Sequence, residues 1–296
     1  MKDKIAIRKL GTIDLGIVES NPIVFHNELY RFEYIRNGKH RYRHNSIDES
    51  YFRLIRVADE AVLPAFGHGL HLGNAFVWKD RIIVTAVEDW GKSRFYQLES
   101  TNLYDWTKPE VILEHPSWQG YNTSLCRAEN DFILTFELGA PAELVKVPFT
   151  MFFARSNDLK TWHIIENTSF GRDFYTGGPM LRYFSPWFYF FYLHGSYENG
   201  FQEYVARSRD LKEWELSSRN PVLSSDDDDR ILAYPFDAAE IQQIRDAVNI
   251  NNSDLDMCEW QGHLHMTYSW GNQRGTEFLA QATANCCERE FCESFW

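Results

Sequence analysis

One short motif recurs along the chain at nearly constant spacing, and it constrains the fold more than any other feature. It reads Ser-x-Asp/Asn-Leu-x-x-Trp and occupies residues 100–106, 156–162 and 208–214, with a degenerate copy at residues 46–52. The copies are about 52 to 56 residues apart. A period of this length is typical of proteins built from repeated β-sheet units, so we expect one repeat architecture.

Each copy of the motif follows a strand-like run and precedes another short one. Its Ser and Asp side chains can hydrogen-bond the local backbone and close a tight turn, while its aromatic residue begins the next strand. Two further strand-like runs lie upstream, as in residues 74–87 and 178–193. Four short strands per repeat match the blade of a β-propeller.

Five such repeats can be placed in the sequence. They begin near Asn21, Asn74, Asn122, Gly178 and Asp254. The fifth lacks a good fourth strand, so we expect residues 4–10 to return and complete it, which leaves no free sheet edge. Residues 235–249 instead show helical spacing, within an insertion at about 224–250. The predicted fold is all-β: one five-bladed propeller domain over residues 1–296, closed by the N-terminal strand, with one short helical insertion between blades four and five.

Composition limits the possible partners. The net charge of −12 argues against nucleic acid, because such binders need a basic surface. The sequence contains no run of about 20 apolar residues, the length that a membrane-spanning helix needs. The N-terminus has no apolar segment typical of a signal peptide, so we expect a cytoplasmic protein or one whose leader is absent from this sequence. The Cys-rich tail lacks zinc-ligand spacing. We predict no cofactor or metal, although a structural calcium ion in the channel is compatible with the sequence.

Polar residues recur where the first strand of each blade would line the central channel. Such a ring suits a polyhydroxylated ligand, because amides and carboxylates donate and accept the hydrogen bonds that a sugar needs. It also suits a merely solvated channel mouth. The 16% aromatic content supplies faces on which sugars stack. The predicted sugar-binding residues are Asn21, His71, Asn74, Asn122, Tyr175, Asn252, Trp270 and Arg274.

Several motifs together resemble one group of enzymes. They are N-P-I-V in the first inner strand, G-P in the fourth, and the R-S-x-D-L-K-x-W turns. Over about residues 18–285 the chain resembles the five-bladed glycosidases of glycoside hydrolase family 43 and the related families 32, 117 and 130. The resemblance implies a propeller that hydrolyses glycosidic bonds in an oligosaccharide or a polysaccharide side chain.

The chain departs from the family 43 pattern at the positions of the catalytic residues. Asn21 stands where the family has its Asp base, and Gly177 or Thr176 where it has its Glu acid. Glycosidases need two carboxyl groups in acid and base roles. We predict Asp254 as the base and one of three glutamates as an acid whose pKa is raised by burial. The candidate acids are Glu88, Glu19 and Glu137, with His194 as a substitute because family 117 relatives use a histidine.

Two alternative functions stay open at this point. The missing family residues are compatible with a sugar-binding propeller that has lost catalysis. A glycoside phosphorylase like those of family 130 would need cationic residues at the channel to hold phosphate, and Arg274 is the one well-placed candidate.

Overall fold

The regular secondary structure of the described chain is mostly β-sheet, as the repeat pattern predicts. The computed structural model describes residues 3–36 and 49–296. Its strands form five antiparallel groups of four, which we call units 1 to 5. Unit 1 contains β2 (Ser20–Phe25), β3 (Glu28–Ile35), β4 (Tyr51–Arg56) and β5 (Ala61–Val62). Unit 2 contains β6 (His71–Trp78), β7 (Arg81–Val87), β8 (Arg94–Ser100) and β9 (Glu110–Glu114).

The remaining units follow the same order of strands. Unit 3 contains β10 (Gly120–Ala128), β11 (Asp131–Leu138), β12 (Thr150–Ser156) and β13 (His163–Ile164). Unit 4 contains β14 (Met180–Phe184), β15 (Trp187–Ser196), β16 (Gly200–Ser208) and β17 (Trp214–Leu216). Unit 5 contains β18 (Asn251–Trp260), β19 (His263–Gly271), β20 (Glu277–Ala284) and the N-terminal β1 (Arg8–Leu15).

The first strands of the five units contact one another in succession. β2 contacts β6, β6 contacts β10, β10 contacts β14, β14 contacts β18, and β18 contacts β2. β1 pairs antiparallel with β20 and so supplies the fourth strand of unit 5. This strand begins at Arg8 and ends at Leu15, later than the predicted residues 4–10. Units 4 and 5 also share a parallel bridge between Phe201 and Asn251, which joins them into one eight-stranded sheet.

The repeated motif forms the turn between the third and fourth strands. In the copy that follows β12, Ser156 Oγ accepts a hydrogen bond of 2.9 Å from the backbone N–H of Leu159. Asp158 Oδ1 accepts bonds of 2.8 Å from the amides of Lys160 and Thr161. Leu159 is buried with φ +63°, a left-handed conformation that the turn imposes. The same bonds recur at Ser100 and Ser208, so the prediction of a side-chain-capped turn is confirmed.

The prediction that the degenerate fourth copy forms the turn between a third and a fourth strand is wrong. Its residues 46–48 lie outside the described part of the chain, but its final aromatic, Phe52, lies inside β4 rather than at the start of a fourth strand. The turn from β4 to β5 lies at residues 57–60, where Asp59 Oδ1 accepts a 3.3 Å bond from the amide of Ala61. A Ser, an Asp and a final aromatic residue, without the Leu and Trp of the other copies, carry too little information to locate a turn.

Aromatic side chains fill the space between neighbouring units. Phe66 after unit 1 stacks on Trp106 of the next unit, with ring centroids 3.6 Å apart. Phe153 of unit 3 stacks on Trp214 of unit 4 at 5.7 Å. Each aromatic ring buries a large apolar area, which explains much of the high aromatic content without any ligand.

The chain has more helices than the single predicted one. α2 (Ala238–Asp246) lies in the predicted insertion and begins at a capping box of Asp237 and Glu240. α1 (Ala142–Val145) precedes β12, α3 (Glu288–Glu293) follows β20 in the Cys-rich tail, and a 3₁₀ helix covers Asp227–Arg230. The three helices other than α2 are too short for a helical periodicity to be recognised in the sequence. None of the described helices is long and apolar enough to cross a membrane.

A buried ion pair attaches the insertion to the N-terminal strand. Lys9 Nζ of β1 lies 2.7 Å from Asp229 Oδ1, and both side chains are almost fully buried. Tyr268 donates a 2.8 Å hydrogen bond to the same oxygen, and Asn249 donates one of 2.7 Å to Oδ2. The acidic run at residues 226–229, which resembles a solvated loop in the sequence, therefore contains one structural carboxylate.

Asp229→Ala is expected to lower the free energy of unfolding by about 3 kcal/mol, the lower end of the cost of breaking a buried pair, because Lys9 then keeps only the half-exposed carboxylate of Asp226, 3.1 Å away. Urea unfolding followed by circular dichroism measures the difference. Asp228→Ala is the matched control, since Asp228 is exposed one residue away and should change stability by less than about 0.5 kcal/mol. Equal effects of the two substitutions would contradict the structural role of the pair.

Candidate functional site

A cavity of about 610 Å³ opens at one end of the first strands and receives side chains from all five units. A small cavity of about 30 Å³ continues from it between the first strands and shares Glu19, Asn122 and Asp254 with it. A third cavity, of about 350 Å³, shares Asn74 and Asp256 with the small one. These shared residues trace a channel along the first strands. Within residues 3–36 and 49–296 no group of three or more His, Cys, Asp and Glu could hold a metal ion, and the channel calcium stays a prediction.

Asp254 lines the cavity from an irregular part of β18. The pairing with β19 shifts register between Ser253 and Asp256, and Asp254 has φ +53°. Gly178 packs against its carboxyl group so closely that a Cβ there would lie 2.8 Å from Oδ1. Desolvation, and after it the negative charge of Glu19, raises the pKa of Asp254 to about 7. Near neutral pH this group can therefore exchange its proton.

Glu137, near the end of β11, also lines the cavity and is 2% exposed. Its Oε2 accepts a 3.0 Å hydrogen bond from Asn122 Nδ2. Burial is the main cause that raises the pKa of Glu137 to about 8; the Asn122 bond opposes this rise, and the charges of Asp254 and Glu19 add to it. At neutral pH Glu137 is thus mostly protonated, whereas Asp254 is partly ionised.

Arg36 joins two further carboxylates of the cavity. Its Nη2 lies 3.1 Å from both carboxylate oxygens of Glu19, and its Nη1 lies 3.7 Å from Glu277 Oε2. The guanidinium group is also 5.3 Å from the centre of the Trp90 ring. Burial raises the pKa of Glu277, and Arg36 opposes the rise. Among the described lining residues Arg36 carries the only full positive charge, and two carboxylates flank it.

Aromatic rings follow one another around the cavity wall in edge-to-face contacts. The ring centroids are 6.5 Å apart for Trp90 and Tyr121, and 5.0 Å for Tyr121 and Phe149. The series continues from Phe149 to Tyr175 at 5.7 Å, from Tyr175 to Phe201 at 5.7 Å, and from Phe201 to Tyr197 at 5.1 Å. Trp90 and Tyr197, at the two ends, are 46% and 53% exposed. Exposed rings beside hydrogen-bonding groups can stack on a sugar.

Five of the predicted site residues meet at this cavity: Glu19, Asn122, Glu137, Tyr175 and Asp254. The two other candidate acids lie outside it. Glu88 follows β7 and lies 3.7 Å from Arg94 at the surface. His194 packs edge-on against Tyr204, with ring centroids 4.9 Å apart, while the preceding Leu193 lines the cavity. Because successive side chains of a strand point to opposite faces, His194 points away.

The other predicted binding residues do not line this cavity, and the structure gives most of them a partner within the protein. Asn21 exchanges two hydrogen bonds with the backbone of Ala75, of 2.8 and 3.0 Å. His71 Nδ1 lies 2.6 Å from Tyr34 Oη. The remaining contacts are Asn74 Nδ2 with Asp256 Oδ2 at 3.0 Å, Asn252 Oδ1 with Lys9 Nζ at 2.9 Å, Trp270 Nε1 with Thr12 Oγ1 at 2.9 Å, and Arg274 over the Tyr197 ring at 4.3 Å.

Several cavity residues were not identified from the sequence. Arg36 and Trp90 follow second strands, and Glu277 opens the third strand of unit 5. Trp90 lies two residues after Glu88, which was a predicted site residue. The prediction therefore chose the correct strand end but the wrong residue. Glu277 lies outside the repeated turn motif, and no other pattern in the sequence distinguishes it from the other glutamates.

Comparison of the sequence with protein-family models and with curated proteins finds no match. Solved structures do match. A xylan β-1,4-xylosidase of Bacillus halodurans superposes with a TM-score of 0.61 at 13% identity, over 94% of this chain and 54% of that one. A GH43 protein of Bacillus licheniformis gives 0.59 at 14%, over 93% and 54%. The catalytic domain of a Coprinopsis cinerea GH62 α-L-arabinofuranosidase gives 0.65 at 8%, over 97% and 99%.

These comparisons show that the chain shares the fold of GH43 and GH62 proteins. The predicted resemblance to family 43 is thereby confirmed for the fold. The chain spans about half the length of the two Bacillus proteins.

Proposed function

We propose that the chain is a glycoside hydrolase in which Asp254 acts as general base and Glu137 as general acid. The observation that carries the proposal is that two interacting carboxyl groups, both with a raised pKa, line one cavity. A pair of carboxyl groups in one site supplies the acid and the base of glycosidases, and a raised pKa keeps one of them protonated near neutral pH.

The proposed reaction uses a water molecule as nucleophile. Ionised Asp254 accepts a proton from this water, whose oxygen forms the new bond to the anomeric carbon. The bond between the anomeric carbon and the leaving oxygen breaks as Glu137 donates its proton to that oxygen. The products are two free sugars, with Asp254 protonated and Glu137 ionised; proton exchange with solvent restores both groups.

The fold supports this proposal if the five units close into a ring. We propose that they are the five blades of a β-propeller, closed by β1, because each first strand contacts the next and β18 contacts β2. In a closed ring the first strands line one channel, so residues far apart in the sequence, such as Glu19, Glu137 and Asp254, converge there.

We propose a carbohydrate substrate, in the form of an oligosaccharide or a polysaccharide side chain. The series of aromatic rings from Trp90 to Tyr197 offers stacking faces, and the amide of Asn122 and several carboxyl groups offer hydrogen bonds to hydroxyl groups. The similar structures are those of a xylosidase and an arabinofuranosidase, which makes pentose-containing glycans the first substrates to test.

The charges of the cavity disfavour the alternative of a phosphorylase. Arg36, the one cationic side chain in the described lining, is flanked by Glu19 and Glu277. Arg274 lies over the Tyr197 ring and does not line the cavity. A phosphate dianion would therefore meet more negative than positive charge, which repels it.

A panel of aryl glycosides and decorated xylo-oligosaccharides tests the proposed activity, with and without inorganic phosphate. We expect hydrolysis that releases a free reducing sugar and does not depend on phosphate. Turnover that requires phosphate and yields a sugar phosphate would favour the phosphorylase. Calorimetric binding of oligosaccharides with no turnover in either buffer would favour a sugar-binding protein that lacks catalysis.

A further inference from the structure

The backbone of Asp254 is held in a conformation that the strand alone does not favour. Ser253 pairs with Ser269 and Asp256 pairs with Thr267, so Asp254 and Leu255 together stand opposite one residue of β19. This is a β-bulge, in which the extra residue loses its place in the ladder. The left-handed φ of +53° at Asp254 is unfavourable for a residue other than glycine. Something outside β19 must stabilise this bulge.

Glu203 of β16 contacts the bulge from the neighbouring unit. Its Oε1 accepts a 3.2 Å hydrogen bond from the backbone N–H of Leu255, and the amide of Asp254 also interacts with its carboxyl group. The parallel bridge between Phe201 and Asn251 aligns β16 with β18, which brings Glu203, two residues beyond Phe201, to the bulge. Glu203 has no exposed surface and does not line the cavity.

The surroundings of Glu203 keep it uncharged. Burial is the main cause that raises its pKa well above the ordinary value, and the two backbone amides only partly oppose it. The titratable groups that interact with it are Asp254 and Asp256 on β18 and Tyr192 on β15. None of these is a cation. Its Oε2 has no hydrogen-bond partner in the described part of the protein.

We propose that Glu203 is a positioning residue: it holds the bulge of β18 so that the carboxyl group of Asp254 faces the cavity. This inference rests on the proposed function for its catalytic consequence. The structural consequence stands alone, because the bulge amides need an acceptor whether or not the cavity catalyses a reaction.

Three variants of the full chain test the proposal. Glu203→Gln keeps an acceptor oxygen for the Leu255 amide, whereas Glu203→Leu removes it while filling similar space. Val205→Ala is the control for general loss of packing, because Val205 is fully buried two residues along β16 and belongs to the hydrophobic core. We expect Glu203→Leu to lower kcat by about 10²-fold, the effect of a misplaced catalytic group. Glu203→Gln and Val205→Ala should stay within about threefold of the wild type, with KM little changed in all three variants.

A second readout does not need turnover. The titration of Asp254 can be followed by ¹³C NMR of its carboxyl carbon, assigned from the signal missing in Asp254→Asn. The titratable groups that interact with it are Glu19, Arg36, Glu137, Tyr175, Glu203 and Glu277. We expect an unchanged midpoint in Glu203→Gln and a lower one in Glu203→Leu, because a carboxyl group released from its site becomes better solvated.

The outcomes separate this proposal from the proposed function. A folded Glu203→Leu variant with the wild-type Asp254 titration would overturn it, and so would a Glu203→Gln variant that shifts the midpoint as far as Glu203→Leu does. If Glu203→Leu does not fold, Glu203→Gln decides alone: an unchanged Asp254 midpoint supports the positioning role, and a shifted midpoint overturns it. A protein that hydrolyses no glycoside yet shows the expected titrations would refute the proposed function and keep the positioning role.

Discussion

Asp254→Asn is expected to lower kcat by about 10³-fold while the protein stays folded, because removal of a general base costs about 10² to 10⁴ in rate. The amide cannot accept the proton of the attacking water. Initial rates on the best substrate of the panel measure the loss. Glu88→Gln is the matched control: the sequence made Glu88 a candidate acid, but it lies outside the cavity beside Arg94, so this variant should keep the wild-type rate.

The stability of Asp254→Asn should change in the opposite direction to its activity. Desolvation raises the pKa of Asp254 to about 7 in the folded protein, above its ordinary value. The folded state therefore binds the proton more tightly than the unfolded state, and the wild type loses stability as pH rises from about 4 to about 7. The variant has no such loss, so the difference between its Tm and that of the wild type should shift in favour of the variant as pH rises over this range. An inactive variant with a lower Tm at pH 8 would indicate damage to the fold instead.

Glu137→Gln should remove the general acid, with a loss that depends on the leaving group. A glycoside with a basic leaving group needs the proton and should lose about 10³-fold in kcat/KM. An aryl glycoside with an acidic phenol needs little protonation and should lose less than about tenfold. Equal losses on both substrates would contradict the assigned role of Glu137.

The pH profile supplies a second check on the same residue. In the wild type, kcat/KM should rise as Asp254 ionises near pH 7 and fall as Glu137 loses its proton near pH 8. Because the two charges interact, the two limbs describe the pair rather than either residue alone. Glu137→Gln should lose the alkaline limb and keep the acidic one. A variant that keeps its alkaline limb would place the acid elsewhere in the cavity.

The sequence by itself was sufficient for the features that depend on local interactions. The turn motif works within seven residues: Ser156 and Asp158 bind amides two or three positions away, and this local chemistry repeats wherever the residues repeat. Counting these turns and the strand-like runs predicted all-β sheets of four strands and a returning N-terminal strand. The wrong prediction at residues 46–52 shows the limit, because that copy lacks the Leu and the Trp of the motif.

The sequence predicted only some of the residues that line the cavity. Whether a residue lines it depends on the direction in which its side chain points, and not only on its type. Leu193 and His194 are neighbours in β15, yet only Leu193 lines the cavity, and the more reactive side chain points away from it. Alternation along a strand decides this, and a shift of one residue in register reverses it. Asn21 and Asn252 have the residue type that a sugar site needs, but the backbone of Ala75 and the buried Lys9 already bind them.

The sequence thus determined the repeated turns, because the hydrogen bonds that close them join residues only a few positions apart. The tertiary structure alone decided which carboxyl groups meet. Asp254 reaches the cavity through a bulge held by Glu203 of another unit, and its proton affinity depends on Glu19 and on desolvation by the surrounding protein. Both effects join residues separated by 50 or more positions. Electric fields and desolvation act through space, and no local pattern in the chain encodes them.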